Sequence, residues 1–192
     1  NTEITETLSG FFDMAGNPMN TYTISFKTGA VFDNSDPQIV ASSPQSGSEN
    51  VPTNAIVEVK ISKPIDMLSV SDNTFYIFEQ FGQYKQLGAN ISLNPDRTSL
   101  SLIPLEPLEP NSIYEVRLSY QDLYGNAQST NWGFKTGQSV DSTAPQVDQT
   151  GIVEGQSSVP LNAHIRVHVN EAIANFNLDQ IVLVADDVPV IT

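Results

Sequence analysis

The sequence contains no cysteine, few basic residues and no long apolar run. Without cysteine, disulfides, thiol nucleophiles and thiolate zinc sites are all excluded. The 22 acidic residues outnumber the 8 basic ones and give a formal net charge of −14. Because Lys and Arg supply most of the affinity for phosphate and also attract anionic lipid, we expect no nucleic acid and no membrane surface among the partners.

Signals of membrane insertion, of secretion and of helices are absent as well. No apolar run approaches the roughly 20 residues that a membrane-spanning helix needs. The chain begins Asn1-Thr2, without Met, a basic region or an apolar region, so we expect no signal peptide in it and interpret it as a piece of a longer protein. No stretch keeps the helical period of about 3.6 residues, so we predict no substantial helix.

Two stretches of the chain repeat each other. A turn signal and an aromatic strand occur near the start as Asp13-Met-Ala-Gly-Asn17 and Ile24-Ser-Phe-Lys-Thr-Gly29, and again as Asp122-Leu-Tyr-Gly-Asn126 and Trp132-Gly-Phe-Lys-Thr-Gly137. The Lys-Thr-Gly triplets lie 108 residues apart, and the same spacing relates Val51-Pro-Thr-Asn54 to Val159-Pro-Leu-Asn162. Self-similarity at a fixed period predicts a tandem array.

The period divides the chain into three parts. A repeat of this length suits a seven-stranded sandwich, which needs about 100 residues. We predict that residues 1–35 are the C-terminal part of a first repeat plus a linker, that residues 36–140 form one complete repeat, and that residues 141–192 are the N-terminal half of a third.

Alternation of apolar and polar residues predicts the strands. Segments Val57–Ile61 and Ile165–Val169 alternate in the same way, as one buried and one wet face require. The prolines of Pro104–Pro110 predict a corner between two sheets, because proline cannot donate to a strand ladder. Tyr114 follows this corner at the place of a tyrosine-corner residue, and we predict that Trp132 and Phe134 lie in the core. The predicted fold class is all-β.

These motifs resemble the bacterial Ig-like domains of the S-layer and adhesin type, known as Big_5. The matching features are Asp141-Ser-Thr-Ala-Pro145, the alternating strand at Val57–Ile61, the corner Ser62-Lys-Pro-Ile-Asp66, and the closing Asp-x-x-Gly-Asn and Trp-x-Phe-Lys-Thr motifs. Lys63 departs from the glutamate usual in the family, whereas Glu171 restores it. The resemblance implies Ig-like β-sandwich repeats in tandem on an exported bacterial protein, extracellular or at the cell surface.

Two functions are compatible with this resemblance. The first is a non-catalytic structural or adhesive segment of a bacterial surface or secreted protein, with neighbouring Ig-like repeats or other surface proteins as partners. The alternative is a carbohydrate- or protein-binding accessory module of a larger secreted enzyme. Exposed aromatic residues would serve that alternative, and the candidates are Tyr76, Phe81, Tyr84 and Tyr124.

Catalytic signals are weak. No Gly-x-Ser-x-Gly elbow occurs, and the complete repeat has no histidine. His164 and His168 are four residues apart on a predicted strand, roughly 13 Å at about 3.3 Å per residue, so one metal cannot bridge them. Asp186-Asp187 falls in a predicted turn or strand end, and two acids alone do not make a glycosidase. We expect no enzyme activity and no catalytic residue.

The linkers hold the metal-site candidates. Asp33, Asp36 and Asp141 lie where one sandwich meets the next, and calcium takes 6–8 oxygen ligands. Against calcium, no Asp-x-Asp-x-Asp-Gly spacing occurs. Asp13 and Asp122 recur at the same place in the repeat, and we predict that their carboxylates accept backbone N–H groups within a turn rather than bind a ligand.

The two ends of the chain are complementary. Residues 1–29 supply final strands of a sandwich and residues 145–192 supply first strands, so each would leave edges and an apolar face uncovered. We predict that the tail of one molecule pairs with the head of another in a heterologous contact.

Overall fold

The computed structural model describes residues 1–80, 85–171, 184–185 and 188–189, and this part of the chain is all-β, as predicted. It divides into two compact units, Asn1–Ser35 and Asp36–Thr192. Among the described residues no helix is long and apolar enough to cross a membrane. The strands are β1 (Glu3–Leu8), β2 (Tyr22–Lys27), β3 (Ile39–Ser43), β4 (Val57–Ile61), β5 (Phe75–Glu79), β6 (Ala89–Leu93), β7 (Ser99–Pro104), β8 (Ile113–Gln121), β9 (Ala127–Lys135), β10 (Val147–Thr150), β11 (Val167–Val169), β12 (Val184–Ala185) and β13 (Val188–Pro189).

Seven of these strands, β3 to β9, form a sandwich that we call the central repeat. One sheet has the order β3-β4-β7-β6, the other has the order β5-β8-β9, and every pairing is antiparallel. On β4, Val57, Val59 and Ile61 are buried, whereas Glu58 and Lys60 are half-exposed. The predicted alternation is therefore confirmed here, because one face of each sheet packs inward.

The inward faces of the two sheets form one hydrophobic cluster. Trp132 and Phe134 are 8% and 2% exposed, which confirms them as core residues. The Trp132 indole nitrogen donates to the Pro44 carbonyl oxygen at 2.9 Å. The rings of Tyr114 and Phe134 stack with their centroids 5.8 Å apart. Hydrogen bonding at the indole and ring stacking keep two large aromatic residues in fixed positions.

A proline-rich corner carries the chain from one sheet to the other. Strand β7 ends at Pro104 in the first sheet, and β8 begins at Ile113 in the second. Leu108 is buried in the core below this corner. The Tyr114 hydroxyl accepts a hydrogen bond from the Glu109 backbone N–H at 2.8 Å. The predicted tyrosine corner is confirmed, because the phenol reaches back to the backbone just upstream of its own strand.

The last strand of the central repeat also pairs with an early segment, residues 47–51, that runs parallel to it. The backbone of Val51 donates to Lys135 at 3.1 Å and accepts from Gly137 at 2.8 Å. Lys135 N–H donates to Ser48 and Gly47 N–H donates to Gly133, both at 2.8 Å. A Cβ at Gly137 would lie 3.3 Å from the backbone of Asn50, which explains the glycine that ends the repeated motif.

The unit Asn1–Ser35 is a hairpin of β1 and β2. Hydroxyl pairs line one of its faces, with Thr5 and Ser25 joined at 2.9 Å and Thr7 and Thr23 at 3.3 Å. The opposite face carries the apolar side chains, because Ile4 pairs with Phe26 and Leu8 with Tyr22. The hairpin therefore has one polar and one apolar face.

Strands β10 and β11 pair after the second linker. The predicted strand Ile165–Val169 was partly wrong, since β11 begins only at Val167 and Ile165 lies outside it. Ile165 and Val167 were expected to face inward, but both are exposed. In the part of the chain that the structure describes, β10 and β11 form a two-stranded sheet of their own, and these two side chains are not buried in a core.

Candidate functional site

The same pair of hydrogen bonds occurs at two places that lie 108 residues apart in the chain. Gln38 N–H donates to the Ser62 hydroxyl at 2.9 Å, and Ser62 N–H returns to the Gln38 carbonyl at 2.8 Å. Gln146 N–H donates to the Asn170 side-chain oxygen at 2.8 Å, and Asn170 N–H returns to Gln146 at 3.0 Å. Each reciprocal pair ties the backbone that follows a linker to the residue directly after a strand, which is Ser62 after β4 and Asn170 after β11.

The two linkers contain the same turn. The Asp33 carboxylate accepts from the Ser35 N–H at 3.0 Å and from its hydroxyl at 2.6 Å. The Asp141 carboxylate accepts from the Thr143 N–H at 2.9 Å and from its hydroxyl at 2.6 Å. A short side chain that bonds the backbone two residues on is a standard turn former, so these aspartates shape the linkers.

Asn54 fastens the second linker to the central repeat. Its amide nitrogen donates to the Asp141 carbonyl at 2.8 Å, and its amide oxygen accepts from the Asp141 N–H at 3.0 Å. Thr53 N–H donates to the Ser139 carbonyl at 3.1 Å. We call Asn54, Thr53, Ser139 and Asp141 the junction site. Sequence reasoning missed this role of Asn54, and the available signal was its recurrence as Asn162.

A second acid approaches the junction site. Hydrogen bonds from the Thr143 side chain and backbone lower the pKa of Asp141, and a hydrogen bond with Glu171 lowers it further. Burial raises the pKa of Glu171, and the hydrogen bond and negative charge of Asp141 raise it more. The two pKa shifts thus have opposite directions, and Glu171 stands 108 residues after Lys63.

The calcium candidates do not form one cluster. Within the described ranges, no three His, Asp or Glu side chains form a group that could hold a metal ion. The carboxylates of Asp33 and Asp141 accept hydrogen bonds from Ser35 and Thr143, and Asp36 is exposed. We expected no bound metal or cofactor and kept calcium at the linkers as the alternative. That alternative stays untested, and melting curves with and without calcium would check it.

Asp122 and Asp13 occupy identical turns, as predicted. One Asp122 oxygen accepts from the backbone N–H groups of Tyr124 at 2.8 Å and Asn126 at 3.0 Å, and the other accepts from the Asn126 amide at 2.8 Å. Asp13 accepts from Ala15 and Asn17 in the same manner. Lys63 Nζ adds a 3.2 Å ion pair to Asp122, which is buried. The backbone N–H groups of each turn therefore explain why an aspartate occurs at both positions.

Neither histidine belongs to a metal site among the described residues. Both are exposed, but only His168 lies on a strand, so the prediction that His164 shares that strand was wrong. His168 Nδ1 lies 2.6 Å from an Asp148 carboxylate oxygen on the neighbouring strand. Asp186 and Asp187 lie outside the described residues.

Tyr76 lies at an open groove on the outer face of the sheet β5-β8-β9. This outer groove has a volume of about 380 Å³, and its lining residues are Asn73, Tyr76, Arg117, Ser119, Ser129, Thr130 and Asn131. Arg117 lies 4.9 Å from the centre of the Phe78 ring, and its Nε donates to Glu115 at 2.9 Å. Of the other aromatic candidates, Tyr124 is exposed, whereas Phe81 and Tyr84 lie outside the described residues.

A two-sheet sandwich with a tyrosine corner defines the class of immunoglobulin-like modules. The family model of the bacterial Ig-like domain, Big_5, matches residues 33–136, which is more than half of the chain. The chain therefore belongs to the bacterial Ig-like domain family. Comparison with curated proteins gives no match.

Several solved structures are similar to this chain. The methionine-rich copper resistance protein PcoC from Escherichia coli is 19% identical, with a TM-score of 0.46, over 53% of this chain and 99% of that one. The S-layer protein rSbsC is 14% identical, with a TM-score of 0.43, over 59% of this chain and 15% of that one. L,D-transpeptidase 3 from Mycobacterium tuberculosis is 16% identical, with a TM-score of 0.35, over 52% and 37%.

Proposed function

We propose that the chain is a non-catalytic structural or adhesive segment of a bacterial surface or secreted protein. In this proposal, Ig-like repeats follow one another at fixed joints, and their partners are neighbouring repeats or other surface proteins. The observation that carries it is the reciprocal pair of hydrogen bonds between Asn54 and Asp141, at 2.8 and 3.0 Å.

A spacer needs a defined direction at each joint. The linker Gly137–Thr143 is polar and contains Gly and Ser, a composition that by itself gives a flexible coil. The junction site holds this linker at Ser139, which bonds to Thr53 86 residues earlier, and at Asp141, which bonds to Asn54 87 residues earlier. The central repeat therefore sets the path of the chain that leaves it.

The charged side chains support a structural role too. Asp122 binds Lys63 and its own turn, and Arg117 binds Glu115. His168 lies against Asp148. The ion pairs Lys63–Asp122 and Arg117–Glu115 hold their side chains in fixed positions, which suits a scaffold.

Removal of the Asn54 amide tests the proposal. We expect Asn54→Ala to free the linker, so that a broad-specificity protease cleaves residues 137–143 several-fold faster. The stability of the central repeat should change by less than about 1 kcal/mol, since Asn54 is exposed. Asn90→Ala on β6, also exposed, is the matched control. Equal cleavage rates in the wild type and Asn54→Ala would contradict a fixed joint.

The outer groove favours a second candidate function, a carbohydrate- or protein-binding accessory module. An aromatic ring beside hydroxyl, amide and guanidinium groups can stack on a ligand and hydrogen-bond to it. Affinity electrophoresis in gels that contain soluble polysaccharides would detect binding to glycans. This function would be supported if the wild type and Tyr124→Ala were retarded and Tyr76→Ala were not. Unretarded migration of the wild type in every gel would speak against a glycan ligand.

A further inference from the structure

The outer groove differs in charge from the chain as a whole. Acidic residues outnumber basic ones by 22 to 8 over the sequence. Among the described residues that line the groove, however, Arg117 is the only charged one, and all the others carry a hydroxyl or an amide group. The groove is therefore positively charged and rich in hydrogen-bonding groups.

Arg117 is held in place by its neighbours on the same face of the sheet. Its Nε–H donates to Glu115 at 2.9 Å, and its guanidinium carbon lies 4.9 Å from the centre of the buried Phe78 ring. Glu115 in turn accepts from the Gln80 amide at 3.2 Å and from the Asn131 amide at 3.4 Å. An arginine that is ordered before a ligand arrives loses less conformational entropy on binding.

The guanidinium keeps hydrogen-bond donors for a ligand. The hydrogen bond with Glu115, and a further one with the Tyr76 hydroxyl, raise the pKa of Arg117, so the side chain stays charged. Among the described residues these two contacts use two of the five N–H donors that an arginine has. The remaining donors lie in a plane, and their spacing matches the two oxygens of a carboxylate.

A second open depression, of about 550 Å³, adjoins the outer groove. The two depressions share Ser119 and Ser129, and we call them together the outer trough. Gln121 in the second depression lies four residues after Arg117 on β8, which is about 13 Å at about 3.4 Å per residue. The second depression also contains Asp66, whose negative charge disfavours an anion there. The outer trough is thus longer than one sugar ring and has one end for an anion.

We propose that the outer trough binds an acidic polysaccharide in which a carboxylate-bearing sugar is followed by a neutral one. This inference rests on the second candidate function, a binding module, and names its class of ligand. The carboxylate pairs with Arg117 and its sugar ring lies beside Tyr76. The hydroxyls of the neutral sugar bond to Ser119 and Ser129, and Asp66 selects against a second carboxylate.

The lining favours a glycan over an acidic peptide. No aliphatic side chain lines the outer groove among the described residues. Peptides that dock on a sheet use pockets for alternate side chains, whereas sugars need an aromatic ring and convergent hydroxyl and amide groups. The outer groove provides the second set of groups.

Titration calorimetry of the full chain with hyaluronan oligosaccharides tests the proposal, because hyaluronan alternates carboxylate-bearing and neutral sugars. The matched control ligand is the same oligosaccharide with its carboxyl groups reduced to alcohols. In about 0.15 M salt the Debye length is about 8 Å, which limits repulsion by the net charge of −14. The wild type should bind the intact oligosaccharide about tenfold or more tightly than the reduced one, since a charged hydrogen bond is lost.

Substitution of the arginine tests the same contact from the side of the protein. Arg117→Lys keeps the positive charge but cannot span two carboxylate oxygens, so it should lose about tenfold or more in affinity for the intact oligosaccharide. Lys135→Ala removes an exposed positive charge of β9 outside the groove and should bind like the wild type. Circular dichroism and the fluorescence of Trp132 report whether each variant is folded.

Several results would overturn the inference. They are equal affinity for the intact and reduced oligosaccharides, wild-type affinity in folded Arg117→Lys, no binding of hyaluronan, and binding of poly-glutamate in its place. Equal affinity for the two oligosaccharides, or retardation by neutral polysaccharides alone, would reject the acidic ligand and leave the second candidate function standing. Absence of binding to every glycan, in solution and in gels, would reject both the acidic ligand and a glycan-binding function.

Discussion

Asp122 is a buried acid whose charge is stabilised by its turn and by Lys63. Burial alone would raise the pKa of this carboxyl, but hydrogen bonds from Asn126, Tyr124 and Lys63 together lower the pKa below the ordinary value of 3.8. A carboxyl whose pKa is lower in the folded than in the unfolded state stabilises the fold above its unfolded pKa. That contribution is lost as the pH falls through the folded pKa, so Asp122 makes the central repeat acid-sensitive below about pH 4.

We predict that Asp122→Asn lowers the free energy of unfolding at about pH 7 by roughly 1.5–3 kcal/mol, the range for hydrogen bonds to charged groups. The variant should also lose less stability than the wild type between about pH 4 and about pH 2. Urea unfolding at several pH values measures both effects. Asp96→Asn, in the exposed turn before β7, is the control and should follow the wild-type curve. If Asp122→Asn lost as much stability as the wild type when the pH falls, the acid sensitivity would not come from Asp122.

At the scale of the elements, the fold depends on the corner where the chain passes from β7 in one sheet to β8 in the other. The Tyr114 hydroxyl satisfies the Glu109 N–H at the corner before β8, and burial raises the pKa of the phenol, which stays protonated. We predict that Tyr114→Phe costs about 1–3 kcal/mol, because it leaves a backbone donor without its partner. Chemical denaturation would measure this, with Tyr124→Phe at an exposed position as the control. If Tyr114→Phe lowered the free energy of unfolding no more than the control does, the hydroxyl would not be needed to stabilise the corner.

Strands and corners of the central repeat were predictable because their signals are local. Val57, Val59 and Ile61 alternate with polar residues, and the prolines between Pro104 and Pro110 exclude a ladder. Burial in β11 was not predictable in the same way. Ile165 and Val167 show the same alternation as β4, but burial requires a second sheet, and periodicity within one strand does not report whether that sheet is present.

The junction site was not predictable from the sequence either, because its contacts are not local. Asn54 and Asp141 lie 87 residues apart, and no local signal joins an asparagine in one loop to the backbone of a distant linker. The carboxylates that attracted notice, those of Asp33 and Asp141, accept hydrogen bonds from residues two positions further along the chain. Composition identified the linkers but did not identify the side chain that holds one of them.

At the scale of the whole molecule, the central repeat has its own core and its own hydrogen bonds. We predict that residues 36–140 alone unfold in one cooperative step, with a free energy of unfolding of about 5–15 kcal/mol, as single domains do. Trp132, the only tryptophan, reports the core, and circular dichroism reports the strands. The two urea transitions should coincide. A helical spectrum, or transitions that separate, would show that the repeat depends on its neighbours.

The parallel pairing of residues 47–51 with the end of β9 has a mechanical consequence. Tension on the central repeat enters near Asp36. Once the junction site has released the linker, that tension leaves near Gly137 and pulls the two parallel segments in opposite directions along their length. Their four hydrogen bonds, which join Gly47, Ser48 and Val51 to residues 133–137, then bear the force in shear and share it. They break together rather than one after another, and resistance to force is set by the rate of that single event. A filament of such repeats would keep its length under a steady pull and extend in discrete steps.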